Sequence, residues 1–271
     1  MSLHGWTLPQ SPLGRAALLA PPPWRYSGEI LAIEFFTAPE RLRALSPDGF
    51  TPNPEGRCVF IFADWSASSD HDPRLLEDPE FGQYREAMVG YAGTYEGRPF
   101  CRVPYIWVDN ETALIRGHVQ GVPKKMGRIF MTRPVEVGQG GVRKAPGGRF
   151  SAHLSALGRR LASASVTLEA EEGSDIPWFW RTPALGTRLT PSSEPGAPIR
   201  PMFHESLPGA DAVSGPVFTG EARLSFEESP FEELADLNPI RVGRGYVHAF
   251  GFSYVGGRTW PCVAEAASEA A

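Results

Sequence analysis

Two adjacent lysines, Lys124 and Lys125, follow Pro123 and precede Met126 and Gly127. Two ammonium groups held side by side repel each other, and burial of either adds a desolvation cost. Both effects lower a lysine pKa. An amine neutral near pH 7 attacks a ketone carbonyl and forms a Schiff base. Val122, Met126, Ile129 and Phe130 supply an apolar setting close in sequence. The alternative for any such pair is a solvated basic patch that does no chemistry.

The stretch before the pair favours the chemical reading. Asp109-Asn110-Glu111 stands ahead of Gly117 and Gln120, and Pro123-Lys124-Lys125-Met126-Gly127 closes the segment. This arrangement resembles the catalytic segment of the acetoacetate decarboxylase family, in register and without a gap. More faintly, the resemblance runs from about Tyr26 to Tyr254. It implies that Lys124 is the Schiff-base lysine and Lys125 the cation that depresses its pKa, as acetoacetate decarboxylase is known to do. It also implies a β-cone around a central pocket, an oligomer, and chemistry that asks for no cofactor or metal.

The family places a pocket glutamate at the position of Glu86, making Glu86 the general acid/base candidate; otherwise it is an exposed carboxylate beside Arg85. Tyr84, two residues earlier, shares a strand face with Glu86 and is a second catalytic candidate. Gln120 offers amide donors to a substrate carboxylate, or is a polar helix end on the surface. His118 and Lys125 complete the substrate-binding candidates on that segment. Arg116 could also enter the pocket, but a solvated helix face is the expectation for it. Tyr246, His248, Phe250, Phe252 and Tyr254 recur with period two, and Tyr254 is the one assigned to the pocket.

The resemblance fails at two positions. Gly28 stands where the decarboxylases carry an arginine, and Ile61 stands near their second glutamate. Arg25 is close to the first position but three residues off, on the other strand face. Imine chemistry is kept while the groups that handle a 3-oxo acid are not. A ketone condensed on Lys124 becomes an iminium, an electron sink. With pyruvate, loss of a methyl proton gives an enamine that can add to an aldehyde, and Glu86 or Tyr84 can expel water from the adduct. The expectation is a Schiff-base lyase of the aldolase-dehydratase type joining pyruvate or a related oxo acid to an aldehyde, or the reverse. Decarboxylation of acetoacetate or a larger 3-oxo acid is the alternative. A non-catalytic small-molecule-binding β-barrel is the alternative of another class.

The elements that must position these groups read mainly as strands. Alternation or apolar runs predict strands over Glu29–Thr37, Arg57–Trp65, Arg98–Val108, Arg128–Val135, Leu161–Ala170, Phe218–Phe226 and Ile240–Val255. Short helices are expected at Pro39–Leu45, Glu111–Gln120 and Pro230–Leu237, the second capped by Asn110 or Asp109. Lys124 then follows a helix C-terminus, whose dipole favours a cation and opposes the pKa depression. Ser66 to Glu80 reads as a loop, and the glycine-rich 138–148 tract as a hairpin tip without the spacing of a nucleotide loop.

Glycine (29) and proline (27) fall between short apolar runs, which favours a turn-rich mainly β (α+β) fold. The expectation is one domain over residues 1–271, its antiparallel sheets closing into a sandwich, barrel or cone. Residues 1–25 are expected to form an extended arm and 257–271 a loose tail. A net charge of −5 without a basic cluster excludes a nucleic-acid partner. No apolar run reaches a membrane span and no secretory signal opens the chain, so a cytoplasmic homo-oligomer is expected. Three widely spaced cysteines read as buried thiols. Asp70-His71-Asp72 is sequential and exposed, unlike a metal ligand set.

Overall fold

A computed structural model describes residues 2–135 and 137–262. In chain order the elements are β1 (Trp24–Phe36), α1 (Pro39–Ala44), β2 (Phe50–Pro52), β3 (Arg57–Ser68), α2 (Arg74–Glu77), α3 (Pro79–Gly82), β4 (Gln83–Tyr95), β5 (Arg98–Arg102), β6 (Ile106–Val108), α4 (Glu111–Val119), β7 (Lys124–Met126), β8 (Arg128–Met131), β9 (Arg149–Ala156), β10 (Arg159–Glu171), β11 (Leu185–Arg188), β12 (Met202–Pro208), β13 (Val213–Ser214), β14 (Phe218–Phe226) and β15 (Arg241–Pro261). Two 3-10 turns, Trp178–Trp180 and Leu234–Leu237, lie between strands. None of the described helices is long and apolar enough to cross a membrane.

The main path of the sheet runs β7-β6-β4-β3-β1-β15-β14-β10-β9-β8. Every pairing is antiparallel except β6 with β7. The expected closed cone is not formed by hydrogen bonds. The path has two ends, β7 and β8, and among the described residues no ladder pairs them; the chain passes from one to the other at Gly127. Two apolar clusters fill the sheet. Leu31, Phe60, Phe62, Trp107, Phe150 and Val247 belong to the larger. Trp24, Tyr26, Trp65, Tyr84, Phe250 and Tyr254 belong to the smaller, which surrounds the cavity described below.

Period-two faces divide the long strands between these clusters. On β1, Leu31, Ile33 and Phe35 enter the larger cluster while Ile30 and Ala32 enter the smaller. A strand buried on both faces loses polar alternation, hence the near-continuous apolar run of β1 and β3. At some 25 cal/mol per Å² of apolar surface, each such leucine, isoleucine or phenylalanine contributes roughly 1.5–3 kcal/mol.

Several boundaries differ from expectation. The 98–108 strand is two, β5 and β6, separated by Val103, Pro104 and Tyr105. The loop expected over 66–80 contains the end of β3, the helix α2 and the start of α3. The predicted Pro230–Leu237 helix is only the 3-10 turn at Leu234–Leu237. The N-terminal arm is not extended. It folds back, with His4 and Ser11 exchanging backbone hydrogen bonds, and Ala17 and Leu19 are buried. The loose tail begins later than expected, because β15 continues to Pro261 by pairing with β12; residues 263–271 lie outside the described residues.

Candidate active site

Lys124 opens β7, and its neighbours set its direction. Asn110 caps α4, its side chain accepting from the Ala113 N–H at 3.0 Å. The helix ends at Gln120, and the Val122 N–H bonds back to the Gly117 carbonyl at 2.8 Å. That return turns the chain so that Lys124 lies against Gly117. A Cβ at Gly117 would stand 2.4 Å from Lys124 Cγ and 2.5 Å from Cδ. Glycine at 117 therefore makes room for the lysine stem.

Lys124 is buried, 7 % exposed, and its Nζ is 2.8 Å from Glu86 Oε2. Glu86 Oε1 accepts from the Trp65 indole N–H at 3.2 Å. Tyr84 and Glu86 do share one face of β4, as the spacing requires, and Lys124 Nζ sits 5.3 Å from the centre of the Tyr84 ring. The ring face of Tyr84, rather than an open slot, meets the amine. Burial holds the Tyr84 phenol well above its usual range, with the Glu86 charge adding to the effect, so it keeps its proton at neutral pH.

Arg116 corrects the expectation of a solvated helix face. It is 1 % exposed. Its guanidinium carbon lies 5.5 Å from the centre of the Tyr84 ring and 5.6 Å from that of Tyr26. None of its three nitrogens has a hydrogen-bond partner among the described residues. Ala113, Arg116, Gly117 and Gln120 follow i, i+3, i+4, i+7 spacing, one helix face. That stripe was the available signal: the face that carries Gly117 and Gln120 must carry Arg116 too.

Lys125 also departs from expectation. Neighbours on a strand point to opposite faces, so Lys125 leaves the cavity. It is exposed, pairs with Glu232, and lies 5.3 Å from the Trp107 ring centre. The Lys124 pKa is nevertheless lowered. Burial is the main cause; Glu86 pulls in the other direction, and Arg116, not Lys125, is the cation that adds to the depression.

His118 is likewise outside the cavity. It is exposed, and its Nε2 lies 3.1 Å from the Lys124 carbonyl, so it holds the backbone of the lysine. Gln120 and Tyr254 line the cavity with Lys124, Glu86 and Tyr84. The cavity measures about 250 Å³. Tyr26, Trp65, Phe179, Trp180, Phe250 and Phe252 give it aromatic walls, and Trp180 stacks on Phe250 at 4.7 Å.

The departures from the decarboxylase pattern also have structural accounts. A Cβ at Gly28 would meet Trp65 Cε3 at 2.6 Å, so the indole of Trp65 covers that position. Ile61 lines the cavity as an apolar group. Arg25 is exposed and forms a two-pronged pair with Asp70 at 2.6 and 2.7 Å. Asp72 pairs with Arg74. The described residues include no cluster of His, Cys, Asp and Glu able to hold a metal ion.

A search of curated protein sequences finds no match. Among solved structures, the enduracididine biosynthesis enzyme MppR, complexed with the condensation product of pyruvate and imidazole 4-carboxaldehyde, is 36 % identical; the alignment covers 97 % of this chain and 99 % of that one, with a TM-score of 0.90. An acetoacetate decarboxylase-like enzyme from Sphingomonas wittichii RW1 is 26 % identical over 95 % of this chain and 100 % of that one, with a TM-score of 0.86. Acetoacetate decarboxylase from Legionella pneumophila is 15 % identical over 96 % and 97 %, and its TM-score of 0.75 shows a shared fold. The sequence profile described as acetoacetate decarboxylase (ADC) matches residues 7–260. The chain belongs to the acetoacetate decarboxylase family.

Proposed function

We propose that this protein is a Schiff-base lyase of the aldolase-dehydratase type, condensing pyruvate or a related 2-oxo acid with an aldehyde through Lys124. The observation that carries this reading is the buried charge set. Lys124, Arg116 and Glu86 are all withdrawn from solvent. Once Lys124 carries a positive charge, as the iminium formed on it does, two positive groups face the single carboxylate, and the Arg116 guanidinium has no hydrogen-bond partner among the described residues. A buried charge is stable only when paired. The carboxylate of a 2-oxo acid supplies the missing anion, with Arg116 and Gln120 as its donors.

Lys124 in its neutral form attacks the oxo carbon, and loss of water gives the iminium. Glu86 takes a proton from the methyl carbon and the enamine forms. Its carbon attacks the aldehyde, water leaves, and hydrolysis releases the unsaturated 2-oxo acid. The aromatic cavity supports the second substrate, since about 250 Å³ is more than a three-carbon acid fills. MppR bound to the condensation product of pyruvate and an aldehyde supports the same reaction type. Decarboxylation of a 3-oxo acid is the weaker reading, because apolar Ile61 and the Trp65-covered Gly28 replace two of the groups it uses.

Incubation with pyruvate and borohydride, followed by peptide mass mapping, tests the first step. The expected result is a reduced adduct on Lys124. Absence of label from every 2-oxo acid tried would overturn the proposal. An aldehyde panel with pyruvate, followed by mass spectrometry for condensation with loss of water, tests the rest.

A further inference from the structure

His204 lies outside the cavity lining, yet it touches a residue inside it. Its Nε2 is 2.9 Å from the Tyr254 hydroxyl, and its Nδ1 is 3.3 Å from the Thr259 hydroxyl. Tyr254 and His204 are buried while Thr259 is exposed. The three groups form a line of hydrogen bonds from solvent to the cavity wall. Tyr254 is fixed from its other side by stacking on Trp24, at 5.1 Å and 16°.

The backbone is shaped around this line. The β12–β15 register shifts between Leu207 and Pro208, so that one residue of β15 is unpaired beside Tyr254. Such bulges re-aim side chains next to sites. A Cβ at Gly257 would stand 2.2 Å from His204 Nε2, so only glycine there leaves the imidazole its place.

We propose that His204 is a positioning and proton-relay residue that resupplies Tyr254, which gives its proton to the hydroxyl leaving the aldol adduct. This rests on the aldolase-dehydratase reading above. In the step, Glu86 takes a proton from the carbon next to the imine, the enamine forms, and the bond from the neighbouring carbon to its hydroxyl breaks. The hydroxyl takes the Tyr254 proton and departs as water. Tyr254 recovers a proton from the His204 Nε2–H while Nδ1 takes one from the Thr259 hydroxyl, which exchanges with solvent. The order of donors is fixed: if the Tyr254 O–H points at substrate, its oxygen must accept from Nε2–H, and Nδ1 must accept from Thr259. Burial, with a smaller contribution from the Arg188 charge, keeps His204 below the usual imidazole range, so it is neutral at pH 7 and can both accept and donate. Burial, with the nearby Tyr26, pushes Tyr254 up to about 12, so it holds the proton it must give.

His204→Phe, His204→Gln and Thr259→Val test the relay. All three are expected to be trapped on Lys124 by pyruvate and borohydride as the wild type is, since the contacts of Lys124 are untouched. Dehydration is expected to fall about a hundredfold in H204F, within the range for a lost acid–base group. H204Q should fall nearly as far, because an amide can hold the Tyr254 oxygen but cannot pass a proton on. T259V, an exposed change with little risk to folding, should lose several-fold, and the hydroxy adduct should accumulate in all three. H204Q at the wild-type rate would reduce His204 to a structural prop and overturn the relay, as would an unaffected H204F. If pyruvate never labels wild-type Lys124, the reaction class fails. The hydrogen-bond line is then judged by carbon NMR titration of labelled tyrosine rings. Loss of the Nε2–H donor should raise the Tyr254 pKa in H204F, and an unmoved titration would overturn the assignment.

Discussion

Lys124 Nζ and Glu86 Oε2 lie 2.8 Å apart with both side chains nearly removed from solvent. The pair sets two opposing demands. Glu86 favours the ammonium form of Lys124, while burial and Arg116 favour the neutral amine that attacks. Glu86→Gln should therefore separate the two roles of the carboxylate. Lys124 loses the neighbour that raises its pKa, so borohydride trapping should persist and shift toward lower pH. Exchange of the pyruvate methyl protons with deuterated solvent, which needs a base, should fall about 10²- to 10⁴-fold. NMR of pyruvate in deuterated buffer measures the second effect.

Arg116→Met removes the cation that lowers the Lys124 pKa. The sign follows directly: with that repulsion gone the pKa rises, less neutral amine is present at pH 7, and the pH profile of imine formation moves upward. A bond to a charged group is worth about 1.5–3 kcal/mol, so KM for pyruvate should rise roughly ten- to a hundredfold. Steady-state and trapping rates across pH check both. An unchanged KM would show that the carboxylate binds elsewhere.

Lys125→Met should leave imine formation nearly intact, because Lys125 points away from the cavity. Its cost should appear in stability. The change removes a partner of the Glu232 carboxylate, whose side chain is 4 % exposed and which keeps the Trp107 indole N–H at 3.3 Å. An under-satisfied buried carboxylate costs about 1–3 kcal/mol, and thermal unfolding should show a lower Tm. A large loss of pyruvate trapping in K125M would restore the adjacent lysine as the activating charge.

These roles were unevenly legible in the sequence. Lys124, Gly117 and Gln120 carried a motif, and β14 matches the strand expected over Phe218–Phe226. Lys125 was misread because adjacency in sequence was taken for adjacency in space, whereas the three-residue strand β7 sends the two lysines to opposite faces. Arg116 was misread because a charged helix residue is usually solvated, although the stripe of Ala113, Gly117 and Gln120 beside it marks a close-packed face. His204 had no signal: the β12 segment, Met-Phe-His-Glu-Ser-Leu-Pro, is bounded by proline and lacks clean alternation, and its partner Thr259 was read as loose tail. Closure also could not be read, since whether β7 and β8 pair depends on register across the whole sheet.

Gly117→Ala sets helix propensity against the site. Alanine within α4 gains up to about 1 kcal/mol over glycine. The added methyl must push aside the Lys124 stem, because Cγ, Cδ and Cβ all lie within 3.0 Å of it. Overpacking of this kind costs about 1–3 kcal/mol. Stability should thus change little, while displacement of the nucleophile by a fraction of an ångström to an ångström should slow imine formation about a hundredfold. Denaturant unfolding and trapping rates, measured on the same variant, distinguish this from general unfolding. A folded G117A labelled at the wild-type rate would show that the lysine stem is not held where the geometry puts it.

His248 is wholly buried and should make stability pH-dependent. Its Nδ1 lies 3.0 Å from the Ser214 hydroxyl and 3.2 Å from the Ala249 carbonyl, and its Nε2 has no partner among the described residues. Burial is the main force that pushes its pKa down from 6.5 to about 4; the Ala249 carbonyl opposes the fall and the Lys144 charge adds to it. Between those values the unfolded chain binds the proton and the folded chain does not, so stability rises with pH across the window and is complete above about 6.5. A fall from 6.5 to about 4 is worth on the order of 3 kcal/mol, lost progressively as the pH drops. Tm measured from pH 4 to pH 7 should therefore slope upward in the wild type and more gently in His248→Phe. Parallel slopes for the two proteins would assign the acid sensitivity to other groups.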